Sequence, residues 1–148
     1  MTEEVTAAAF LALRSEIRDL WPAASRRRID DILPRHAERA GFRAVIERGP
    51  TGALAGFATL YWSWDTLIAD RIGVMHDLFV VPDARGSGVA EALIDACRAE
   101  CRRRGAAKLT WQTARDNHRA QRVYDRIGAE RDEWLDYSLP AGACGGEE

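Results

Sequence analysis

The stretch Arg85-Gly86-Ser87-Gly88-Val89-Ala90 lies just beyond the apolar run Leu78-Phe79-Val80-Val81-Pro82. An extended segment halts at a proline, turns through two glycines and opens into a helix. The apolar positions of that helix, Val89, Ala90, Leu93, Ile94, Cys97 and Cys101, recur at 3.6-residue spacing. A strand feeding a glycine turn at a helix N-terminus aims several backbone N–H groups, and the positive end of the helix dipole, at one spot. The chemistry of such a spot is capture of a phosphate or pyrophosphate. Gly86 and Gly88 remove side chains that would keep a ligand off the backbone. A P-loop is excluded, because no Gly-Lys pair occurs in the chain. A dinucleotide fingerprint fits poorly, since Glu91 stands where its third glycine belongs.

About thirty residues on lies a second constellation. Lys108–Thr113 reads as a strand, Asp116-Asn117 as a helix cap, and Ala120, Val123, Tyr124 and Ile127 as the i, i+3, i+4, i+7 face of a short helix ended by Gly128. Arg85, Gly88 and Ala90 fill the pattern Gln/Arg-x-x-Gly-x-Gly/Ala. The string from Asn117 through Ala120, Val123 and Tyr124 to Gly128-Ala129 fills a second block at the expected distance. Taken together they resemble the GNAT N-acetyltransferase superfamily, most nearly its small histone and polyamine-type amine acetyltransferases. Asp77-Leu78-Phe79-Val80 and the Trp111–Gln121 segment add to the likeness. It covers roughly residues 56–139 and is strongest over 74–139.

That resemblance implies an α/β fold with a central mixed, mostly antiparallel sheet of about 5–7 strands and about four flanking helices. It implies an acetyl-CoA-dependent transfer of acetyl to a primary amine, with coenzyme A held by Leu78, Phe79, Val80, Arg85, Gly86, Ser87, Gly88, Val89, Ala90, Asn117, Ala120 and Tyr124. Tyr124 matches the family tyrosine that protonates the departing thiolate; an ordinary core aromatic would occupy the same helical face. Relatives carry a Glu-Asp pair where this chain has His76-Asp77. Histidine, with an unperturbed pKa near 6.5, is a competent base for the amine, and Asp77 reads as an ammonium-binding or water-orienting carboxylate. Adjacent strand residues face opposite ways, so one of the two faces the acceptor unless a bulge intervenes. Asn117 serves equally as a cap and as a coenzyme contact, and the oxyanion donor falls at a backbone N–H near Leu78 or Phe79. Replacement of the glutamate keeps a second class open, a non-catalytic acyl-CoA-binding module, and a nucleotide-phosphate binder is a third. The acceptor is a small-molecule or peptide amine of unspecified kind.

The rest of the chain must position these residues. At 148 residues it suits one domain (1–140), able to bury about 70% of its unfolded surface, followed by a Gly-rich, acidic tail (141–148) expected to be disordered. A net charge of −2 and a pI near 6 speak against general nucleic-acid binding. Arg26–Arg28 and Arg102–Arg104 read as solvated helix faces. Three cysteines with no CxxC pair, and three widely spread histidines, suggest no metal cluster. The N-terminus has no leader-like pattern and no eighteen-residue apolar run exists, so neither membrane nor export is expected and the cytoplasm is the default.

The spacing predicts a helix over Glu4–Leu20, closed by Pro22, and a second capped by Ser25 that runs through about Ala40 past Pro34. Strands are expected at Phe42–Glu47, Leu54–Trp64 and Ile72–Val81, and a last one near Trp134–Leu139. The usual first strand of the family is either missing or shrunk to Thr2–Val5. Trp62 and Trp64 share a face, as packing (core or homodimer) or as an aromatic wall for an amine cation. Asp30, Asp31 and Glu38 read as a solvated face, with acceptor-side negative charge as the alternative.

Overall fold

The computed structural model describes residues 2–18, 23–38 and 41–142. Five strands form one sheet in chain order: β1 (Thr2–Val5), β2 (Arg43–Arg48), β3 (Leu54–Asp65), β4 (Asp70–Val80) and β5 (Lys108–Thr110). The first four are antiparallel neighbours and β5 runs parallel to β4. Helices α1 (Ala7–Ala12), α2 (Arg14–Ile17) and α3 (Ala23–Ala37) precede β2. Helix α4 (Val89–Arg103) is the crossover from β4 to β5, and α5 (His118–Arg126) follows β5. No helix among the described residues is long and apolar enough to cross a membrane.

Period-2 alternation builds two cores, one on each face of the sheet. Ala44, Ile46 and Phe57 join Phe10, Ile17, Leu33 and Phe42 under α1–α3. Val45, Ala58, Leu60 and Met75 pack with Leu93, Ile94 and Cys97 of α4. Cys97 of that second core and Cys101 one turn on are buried free thiols.

Several boundaries differ from the sequence expectation. Residues 4–18 are not one helix, because Thr2–Val5 pairs with β2 as a short first strand. Thr6 then caps α1 by accepting a hydrogen bond from the Ala9 N–H at 3.1 Å, and Leu13 separates α1 from α2. Ser25 is no cap, since α3 starts at Ala23; Pro34 sits in its last turn. The expected ends at Leu20, Pro22 and Ala40, and the tail from 143, lie outside the described residues. The strand expected near Trp134–Leu139 does not form. Residues 129–142 carry no regular structure, and Trp134, Leu135, Tyr137 and Leu139 are largely exposed. A strand needs a partner, and β5 ends at Thr110; the segment instead makes side-chain contacts from Asp136 to Gln112 (2.7 Å) and from Arg131 to Asp125 (3.1 Å).

The Arg102–Arg104 run is also more than a solvated face. Glu100, only 5% exposed, sits among Arg103, Arg104 (3.3 Å) and Arg43 (3.7 Å), while Arg43 and Arg103 also reach Glu4 at 3.1 and 3.2 Å. This ties α4 to β1 and β2. Glu100→Ala should therefore lower unfolding free energy by about 1–3 kcal/mol in urea titrations; an unchanged midpoint would reduce the network to surface decoration. Burial pushes the Cys97 thiol up to about 12, so it stays protonated and unreactive at neutral pH. Iodoacetamide should leave Cys97 unmodified in the native protein and alkylate it in denaturant, as read by peptide mass spectrometry.

Candidate active site

The register of β3 against β4 slips at one point. Thr59 pairs with Asp77 and Leu60 with Met75, so His76 has no partner across the ladder. This bulge reverses the alternation. Met75 and Leu78 pack on the α4 side, while His76 and Asp77 both reach the α3 side. There His76 lies 4.7 Å, ring to ring, from His36 and 5.7 Å from Tyr61. Asp77 accepts a 2.5 Å hydrogen bond from the Thr59 hydroxyl on Oδ2, and its own N–H donates back to that hydroxyl at 3.2 Å.

His36 is the residue that sequence reading missed. It follows Ile29 and Leu33 on the inward stripe of α3, packs edge-on against Phe42 at 5.1 Å, and brings Nε2 to 3.6 Å from Asp77 Oδ2. A titratable residue on an apolar stripe was the available signal. Two of the three histidines are therefore not spread apart, since forty residues of chain fold His36 onto His76. Burial pushes the Asp77 carboxyl up, but His36, the Thr59 hydroxyl and the His76 imidazole together hold it below the usual carboxylate range.

Beyond the bulge β4 and β5 part. Pairing runs only from Ile72 with Lys108 to Val74 with Thr110. The gap is a cleft of about 340 Å³ lined by His76, Asp77, Leu78, Phe79, Trp111–Ala114, Asn117 and Tyr124. Tyr124 stands edge-on to Trp111 at 5.2 Å. Burial raises its phenol above the ordinary range, against a smaller pull from Thr113, so the hydroxyl keeps its proton. Asn117 caps α5, its side-chain oxygen accepting from the Ala120 N–H at 3.2 Å.

Val80, Arg85–Ala90 and Ala120 lie outside this lining. Val80 and Val89 pack into the α4-side core. Arg85 Nε donates to the Val80 carbonyl at 3.1 Å, with its guanidinium 5.9 Å over the Phe79 ring. Gly86 and Gly88 adopt φ of 82° and 85°, and a Cβ at either would meet only open space. The N–H groups of Gly86, Ser87, Gly88, Val89 and Ala90 make no hydrogen bond of standard geometry to any described acceptor. Trp62 and Trp64 form no wall at the cleft: they lie under Arg104 (5.4 Å) and Arg71 (5.1 Å) respectively. Asp30 pairs with Arg18 at 3.8 Å across solvent.

With this architecture, the chain belongs to the acetyltransferase (GNAT) family, whose model matches residues 7–129. It is 37% identical over 81 residues to YhfO of Bacillus subtilis, an uncharacterized N-acetyltransferase, covering 55% of this chain and 54% of that protein. It is 31% identical over 85 residues to the D-amino-acid N-acetyltransferase HPA3 of Saccharomyces cerevisiae, covering 57% and 53%. The chain thus spans about half the length of these relatives. Its fold is like that of the aminoglycoside N-acetyltransferase AAC(6')-Iy in complex with CoA, with a TM-score of 0.77 at 20% identity over 96% of this chain and 95% of the other.

Thr59 is fully buried, so Thr59→Val, isosteric but without the donor, leaves Asp77 short of a partner. It should cost about 1–3 kcal/mol in denaturant titrations. A neutral outcome would show that the Asp77 carboxylate is held by solvent instead.

Proposed function

We propose that this chain transfers an acetyl group from acetyl-CoA to a primary amine by direct attack. The observation that carries the reading is a single cleft with a protonated, half-buried phenol on one wall and an imidazole–carboxylate pair on the other. Family membership supports the acetyl donor, as does the CoA complex of the structural neighbour. The Arg85–Ala90 turn fits a pyrophosphate: it offers unpartnered N–H groups, the α4 dipole and two glycines open to close approach. Arg85 adds positive charge there. Leu78, Phe79, Val80, Val89, Asn117 and Ala120 complete the coenzyme contacts. Bound acetyl-CoA supplies an activated thioester.

The chain's own residues then handle charge and protons. A free alkylammonium has a pKa near 10.4, so the acceptor must shed a proton to attack. His76 takes it, and Asp77 steadies the resulting positive charge. As the C–N bond forms and the C–S bond breaks, a backbone N–H at Leu78 or Phe79 meets the charge growing on the carbonyl oxygen. The Tyr124 hydroxyl gives its proton to the leaving sulfur. Two of the proteins named above are, by name, a D-amino-acid and an aminoglycoside N-acetyltransferase, and the acceptor here is proposed as a small-molecule or peptide amine.

Screening acetyl-CoA turnover across amine classes, with thiol release as the readout and chelator present, tests the whole reading. Tyr124→Phe should keep acetyl-CoA affinity while kcat falls roughly 10²-fold; unchanged kcat would make Tyr124 a packing residue. Gly88→Asp sets a carboxylate in the cradle and should abolish coenzyme A binding by calorimetry. Normal binding to the folded variant would move the pyrophosphate elsewhere. Coenzyme binding by the parent without turnover on any amine would favour the non-catalytic module, a reading kept alive by histidine at position 76.

A further inference from the structure

His36, His76 and Asp77 each offer one ligand atom, and the three atoms lie within 4.8 Å of one another. We propose that they form a binding site for a divalent transition-metal ion of the zinc class. Three observations converge on it. The His36 Nε2 is buried and has no hydrogen-bond partner among the described residues. Its 3.6 Å separation from Asp77 Oδ2 is too long for an N–H···O bond. Two bonds of about 2.1 Å meeting at a tetrahedral angle, however, put their ligand atoms about 3.4 Å apart. The spacing that is poor for a hydrogen bond is thus close to the bite of a shared metal.

The third ligand follows from the bulge, which turns His76 to the same face as Asp77. The His76 side chain is exposed, and a rotamer change at its ring closes the widest ligand separation. The carboxylate is oriented from behind by the buried Thr59 hydroxyl, the kind of outer partner that metal-bound carboxylates use. Two imidazoles and a carboxylate suit zinc, cobalt, nickel or ferrous iron, and not calcium or magnesium. Three protein ligands leave at least one position open toward the cleft. On the transferase reading, a bound ion also takes the imidazole nitrogen that would accept the amine proton, so the loaded chain is the slower enzyme.

The test uses the full chain stripped with chelator, without acetyl-CoA, in a Cys144→Ser background. Calorimetric titration with Zn²⁺ should show one equivalent bound with Kd on the order of micromolar or tighter. Co²⁺ should give the intense visible absorption of a four- or five-coordinate site. His36→Phe, which keeps a ring against Phe42, His76→Ala and Asp77→Asn should each weaken binding at least tenfold, while His118→Ala leaves it unchanged. Absence of stoichiometric binding, or binding indifferent to His36→Phe and His76→Ala, overturns the site. Zn²⁺ added to the transfer assay should lower kcat. Stoichiometric binding with undisturbed transfer keeps the metal site and removes His76 from the reaction, so the two readings fail separately.

Discussion

One slip in the β3–β4 ladder organises this molecule. Strand side chains alternate strictly, so His76 and Asp77 would face opposite sides of a regular sheet. The unpartnered residue at position 76 cancels that alternation and gives the α3 side two consecutive chemically active groups. It also sits where β4 and β5 lose their pairing, after Val74 and Thr110. Opening of the cleft and clustering of the imidazole and carboxylate thus coincide at one point of the backbone. The flanking cores hold it in place, since Met75 and Leu78 are anchored under α4 while Phe57 and Phe79 pack on the other face.

What the chain disclosed about itself divides by range. The glycine turn at Arg85–Ala90, the α4 stripe and the Asn117 cap are local patterns, each legible within about fifteen residues. So was the helix face carrying Tyr124. The bulge was legible only as an alternative, because it is a property of two strands and their register. His36 was invisible for the same reason: its partner is forty residues away, and nothing near position 36 marks it except a polar residue on an apolar stripe. The failed strand at Trp134–Leu139 is the converse case. The alternation is present in the sequence, but strand formation needs an edge to pair with, and β5 is only three residues long.

Hydrophobic partition explains why the two halves of the site differ in character. Tyr124 belongs to the α4-side core and inherits its low polarity, which keeps the phenol neutral. Asp77 lies on the face where Thr59 is the buried polar residue of β3, and is ionised there by contacts with hydrogen-bond donors and imidazoles. A proton donor and a charged, proton-accepting cluster border one cleft because the parting of β4 from β5 brings both environments to the same gap. No single pocket chemistry would supply both.

The ion pairs around Glu100 carry a kinetic consequence. Glu4 and Arg103 meet across 99 residues of chain, so this contact closes a loop that includes nearly every other described element. Loop closure of that length is entropically costly until the intervening structure has condensed. β1 can reach its full set of contacts only after β2 and α4 are both in place. The edge strand is thereby held from both ends of the chain, by its ladder with β2 and by the Arg103–Glu4 contact with α4.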